Sequence, residues 1–169
     1  MNERSKKPII AVFDSGIGGL TILSALTEKI PAANFVYFGD TANAPYGHKS
    51  ASEIYALSRS AIEKLLTHQP DVVVIACNTV TSTSIARLRE EFPMITFVGV
   101  EPAVKPAAAK SKVHKIVVAA TSATLNSDSY QTLKKQWASG VEVIDLPKPE
   151  WVTMIEDNVS VDEILTHDA

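Results

Sequence analysis

Cys77 is the one thiol of the chain, and its surroundings are those of a reactive group. It ends the apolar run Val72–Ala76 and is followed by Asn78, Thr79, Thr81 and Ser82. A thiol placed just ahead of a helix N-terminus has its thiolate favoured by the helix dipole, which suits it to proton transfer or nucleophilic attack. Asn78 and Thr79 add neutral donors that fit a carboxylate. The competing reading is packing, because free cysteine is among the most buried residue types. The polar company at a strand end favours the functional reading.

Three further clusters offer chemistry. Asp14-Ser15-Gly16-Ile17-Gly18-Gly19 is either a nest of backbone N–H groups for an anion or a tight turn whose glycines serve geometry alone. A phosphate site of the Gly-Lys-Ser/Thr type is excluded by the residues. Thr21 stands where a dinucleotide fingerprint has its third glycine, although Asp40 sits where a ribose-binding acid would and keeps that reading open. Asp14 would place a negative charge beside the pyrophosphate. The loop from Asp40 to Gly47 carries Pro45-Tyr46-Gly47, a constrained turn with one aromatic ring, and Thr121-Ser122-Ala123-Thr124 supplies hydroxyls. The four clusters contain no lysine or arginine.

The elements that must position these clusters alternate between β-branched runs and amphipathic stretches. That pattern predicts an α/β chain of parallel-sheet αβα lobes, with ligands beyond the carboxyl ends of the strands. Strands are expected at Ile9–Phe13, Phe35–Phe38, Val72–Ala76 and Ile95–Val100. Helices are expected over Leu20–Lys29 and 82–92, with a long one after Ser50 and Glu53, which form a capping-box pair ahead of Ile54, Leu57, Ala61 and Leu65. Glu101-Pro102 and Lys105-Pro106 predict a break in regular structure, dividing a first lobe (1–100) from a second (101–169). The second lobe is expected to hold strands at Lys115–Ala119 and Val141–Leu146. Helices are expected at Ser127–Trp137 and from Trp151, with a last segment at Val161–His167. Two strands and two helices make this lobe incomplete.

Composition narrows the function classes. A net charge of −3 offers no basic face to nucleic acid or an anionic membrane. Ile9–Phe13 is too short for a signal-peptide core or a membrane span, so the expected location is the cytoplasm. One cysteine excludes an internal disulfide and a cysteine metal cluster. His48, His68, His114 and His167 lack metal-ligand spacing, so no metal is expected.

Taken in order, Val12-Phe13-Asp14-Ser15-Gly16-Ile17-Gly18-Gly19-Leu20-Thr21, Tyr37-Phe38-Gly39-Asp40-Thr41-Ala42, Pro45-Tyr46-Gly47, Ala76-Cys77-Asn78-Thr79, Val98-Gly99-Val100-Glu101-Pro102-Ala103 and Ala120-Thr121 resemble the amino-terminal part of glutamate racemase. The resemblance implies interconversion of L- and D-glutamate for peptidoglycan by two thiols on opposite faces of the α-carbon, with no pyridoxal phosphate or other cofactor and no metal. It makes Cys77 the thiol that takes the proton from D-glutamate, with Asp14 assisting. It also implies that Ser15, Pro45, Tyr46, Gly47, Asn78, Thr79, Thr121 and Glu156 bind glutamate, and it allows a homodimer. Thr153 replaces a proline common in the Glu156 segment. The family's second cysteine, in a Gly-Cys-Thr-His segment, has no counterpart here, and the chain resembles roughly the first two-thirds of the family's length, as a truncated form would. Impaired activity is then expected. Two alternatives stand beside it: a one-cysteine decarboxylase of the same superfamily, and a non-catalytic remnant or binding protein.

Overall fold

A computed structural model describes residues 6–166; His167 and the first five residues lie outside the described part. Among the described residues six strands form two parallel sheets. The first contains β1 (Ile9–Asp14), β2 (Asn34–Gly39), β3 (Val72–Ile75) and β4 (Thr96–Gly99) in the order β2-β1-β3-β4. The second pairs β5 (Lys115–Ala120) with β6 (Glu142–Pro147).

The first sheet is covered on both faces, as its uninterrupted apolar strands require. Ala11, Phe13, Val73, Ile75 and Cys77 point to one side, where they meet α2 (Ala51–Leu66) and α3 (Asn78–Glu91). Ile10, Val12, Val74 and Ala76 point to the other, against Ile22, Leu23 and Leu26 of α1 (Leu20–Lys29). Ile54, Ala61, Ile62 and Leu65 of α2 are buried, the isoleucine and leucine side chains each contributing about 1.5–3 kcal/mol. Ser50 starts α2 with the reciprocal capping box its sequence predicts, bonding the Glu53 amide while the Glu53 carboxylate returns to the Ser50 amide. That contact holds the exposed Glu53 carboxyl below the usual carboxylate range.

The second sheet has a smaller core. Ile116 and Val118 of β5 and Val143 of β6 pack with Val104 of α4 (Val104–Lys110), Leu125 of α5 (Ser122–Leu125) and Tyr130 of α6 (Asp128–Trp137). Then follow α7 (Pro149–Glu156) and α8 (Val161–Thr166). Among the described residues no helix is long and apolar enough to cross a membrane.

Three expectations need correction. Pro106 does not interrupt regular structure, because α4 runs from Val104 through it. Pro106 is the third residue of that helix, where a backbone N–H would have no intrahelical acceptor, so its missing donor costs nothing. Among the described residues the stretch beyond residue 100 carries five helices rather than two: α4 and α5 are additional, and the last expected segment, from Val161, is the helix α8. And α3 starts at Asn78, immediately after Cys77, four residues earlier than its hydroxyl-rich first turn predicts.

Candidate active site

Register brings the first two clusters together. In the ladder between β1 and β3 every partner is 62 positions away, from Ile10–Val72 to Phe13–Ile75. The same offset continues past the strand ends, where the Ser15 hydroxyl lies 3.2 Å from the Cys77 Sγ. Cys77 itself is extended (φ −75°, ψ 116°), and its carbonyl accepts the first helical bond of α3 from Thr81. The thiol is buried, at 6% exposure, and borders a cleft of about 530 Å³. Burial and the neighbouring Asp14 carboxylate push its pKa up, while the Ser15 hydroxyl and the Val80 and Ser15 amides pull the other way. The upward causes dominate, so at neutral pH the cleft presents a neutral thiol.

The glycine loop takes its shape from three contacts. The Gly16 amide donates to Asp14 Oδ2 at 3.0 Å, Tyr37 donates its hydroxyl to the Gly16 carbonyl at 2.8 Å, and the Ile17 amide donates to both Glu156 oxygens at 3.0 and 3.1 Å. Gly19 is needed for approach: a Cβ there would lie 2.5 Å from that of Asp14. The dinucleotide reading of this loop fails on the same contacts. The carboxylates of Asp14 and Glu156 flank it, and Asp40 accepts from Tyr46 Oη at 2.6 Å and from Asn43 Nδ2 and does not border the cleft.

Tyr46 and Gly47 form a single 3-10 turn with His48, preceded by a cis peptide at Pro45. The Tyr46 ring is fully buried, and its phenol pKa is pushed up by burial and by the bond to Asp40. Gly47 sits so close to Thr121 that a Cβ would come within 2.6 Å of the threonine methyl. Thr121 caps α5 and joins Thr79 and Thr124 in a triangle of hydroxyls 3.1, 3.1 and 3.5 Å apart, all buried.

Asp14, Ser15, Tyr46, Gly47, Cys77, Asn78, Thr79, Thr121 and Glu156 therefore border one cleft, and Pro45 does not. Its other wall is apolar, formed by Val117 and Ala119 of β5 and by Val152 and Ile155 of α7. Two neighbours were not singled out from the sequence as site residues. Thr124 lies in the fourth polar cluster and could have been included, but Tyr37 reaches the glycine loop from 21 positions away and leaves no local signal. Such a cleft, with a thiol, hydroxyls and amides at one end, can bind a small carboxylate and exchange a proton with it.

No family model matches the chain. It is 41% identical over 150 residues to the glutamate racemase of Clostridium acetobutylicum and 42% identical over 156 residues to that of Clostridium perfringens, covering 89% and 92% of itself. The chain spans about 60% of the length of these curated relatives. Among solved structures it superposes on the glutamate racemase of Escherichia coli, in complex with L-glutamate and the activator UDP-MurNAc-ala, with a TM-score of 0.86 and 30% identity over 94% of this chain and 62% of that one. The Francisella tularensis enzyme in complex with D-glutamate gives 0.76 and 32%, covering 94% and 60%. With its parallel α/β fold and this sequence likeness, the chain is a homologue of the glutamate racemases, corresponding to the amino-terminal portion of that family.

Proposed function

We propose that the cleft binds glutamate and that Cys77 carries one half of a two-thiol racemisation. The observation that carries this reading is the Cys77 thiol at the polar end of a cleft, with the Ser15 hydroxyl on its sulfur and the Thr79–Thr121–Thr124 hydroxyls beside it. Solved relatives bound to L-glutamate and to D-glutamate supply the substrate. On this reading Asn78, the threonines and the amides at Tyr46 and Gly47 take the carboxylates. The substrate ammonium, once inside, favours the thiolate and offsets the burial that raises the Cys77 pKa. The Cys77 thiolate then takes the α-proton of D-glutamate, leaving a carbanion and a neutral thiol, and Asp14 orients the loop around it.

Cys77 is the single thiol among these 169 residues, so they offer no second thiol to protonate the opposite face. The Cys77 thiol exchanges its newly gained proton with solvent and then returns one to the carbanion on the same face, so the configuration is retained while the α-hydrogen is replaced. Incubation in deuterated water is expected to place deuterium at the α-carbon of D-glutamate without accumulation of L-glutamate. Absence of label from both enantiomers would overturn the half-reaction. The exchange rate is expected to rise with pH, because the thiolate is the reacting form and its pKa is raised.

The same reading places the protein in the cytoplasm, serving peptidoglycan synthesis, with a lobe boundary near residues 100–101. A homodimer is its expected assembly, which light scattering at micromolar concentration tests.

A further inference from the structure

One peptide plane in the glycine loop is gripped from two sides. The Gly16 carbonyl and the Ile17 N–H belong to the same peptide unit and point in opposite directions. The Tyr37 hydroxyl holds the carbonyl at 2.8 Å, and the Glu156 carboxylate holds the N–H at 3.0 and 3.1 Å. The fit excludes alternatives: a Cβ on Gly39 would lie 2.4 Å from the Gly16 oxygen, and a Cβ on Gly16 would lie 1.9 Å from Glu156 Oε1. A hydrogen bond to the carbonyl polarises the amide and makes its N–H a stronger hydrogen-bond donor on the far side, so the two grips reinforce each other. The residue just before this plane is Ser15, whose hydroxyl sits on the Cys77 sulfur.

We propose that Tyr37 is a positioning residue for Cys77: by fixing the Gly16–Ile17 peptide against Glu156, it holds the Ser15 hydroxyl on the thiol. Tyr37 touches neither the sulfur nor the threonine hydroxyls through any hydrogen bond of its own, and acts through the loop. The proposal rests on Cys77 being the reacting thiol, yet it concerns the state of that thiol before any substrate binds. Glu156, on α7, thereby ties the loop to the helix that follows β6.

The test is the pH profile of Cys77 alkylation by iodoacetamide in the full chain, which needs no turnover. In Tyr37→Phe the ring stays and one hydroxyl goes. The midpoint is expected to move to higher pH by about 0.7 unit, a roughly fivefold loss of thiolate, the worth of one ordinary hydrogen bond. In a Ser15→Ala background the same substitution is expected to add nothing, which a general loosening of the fold would not reproduce. An unmoved midpoint, a downward shift, or an equal shift with and without Ser15 overturns the proposal. If Tyr37→Phe fails to fold, Glu156→Gln weakens the other grip on the same plane. An upward shift that vanishes without Ser15 supports the proposal, and an unmoved or downward midpoint overturns it. A chain that shows this pattern but exchanges no deuterium into glutamate loses the catalytic reading and keeps the positioning one.

Discussion

The two sheets obey the same parallel geometry and are buried very differently. In the first, β1 and β3 are central, and Val12, Phe13, Val73 and Ile75 are fully enclosed. In the second, alternation survives: Ile116 is buried, while Val117 is 60% exposed and Ile144 43%. One sheet has helices on both faces and the other on one, so a β-branched residue signals an interior position only where the second layer exists. The exposed face of β5 is also the apolar wall of the cleft, through Val117 and Ala119. Stability and the site are thus divided: the first sheet anchors the thiol, and the second supplies a wall and Thr121.

That division can be broken by substitution. Phe13→Ala removes a fully enclosed ring beneath the site and is expected to cost about 3–5 kcal/mol in urea unfolding. Alkaline pH is expected to have the next largest effect. Cys77, Tyr37, Tyr46 and Tyr130 all bind their protons more tightly folded than unfolded, chiefly through burial. Their stabilisation is complete below the ordinary values of 9.0 for the thiol and 10.0 for the phenols and is lost as pH rises above them. Urea midpoints should therefore fall progressively above that range, and a flat profile would show that these groups are solvated.

Gly47→Ala pushes a methyl group into Thr121 and is expected to cost about 1–3 kcal/mol and to weaken glutamate binding, measured by calorimetry. In the second core, Tyr130→Phe leaves the Asp145 carboxylate to Lys134 alone, for an expected loss of about 1 kcal/mol. Val117→Thr, on the open face, is expected to change stability by less than about 0.5 kcal/mol. A loss comparable to that of Phe13→Ala would mean that this face is covered in solution.

Much of the first sheet was legible from sequence because its signals are local. The strand cores, the α1 boundaries and the Ser50–Glu53 cap all follow from patterns within a few residues. The start of α3 was not, because Thr79 to Ser84 have weak helix propensity. In the folded chain Ser82 and Thr83 return their hydroxyls to the Thr79 carbonyl, and Thr81 bonds that of Ile75. The same separation runs through the site. Cys77, Ser15 and the threonines announce themselves by position, but the bond from the Ile17 amide to Glu156 spans 139 residues and follows from no periodicity. Asp40 misled for a related reason, since its carboxylate is taken by Tyr46, six residues away, in a turn that composition does not describe.

The constant offset of 62 between β1 and β3 also says which parts of the chain are free to change length. The meeting of Ser15 with Cys77 is set by where two strands pair, not by how many residues lie between them. Additions in the turn at 67–71, or at the exposed tip near Pro31, leave that pairing intact and should be tolerated. One residue inserted within β3 would instead turn every later side chain of that strand to the opposite face, and the sulfur would point toward α1. Homologues of this chain should therefore vary in loop length between the two segments while keeping the short runs that end in Asp14 and Cys77 invariant in length.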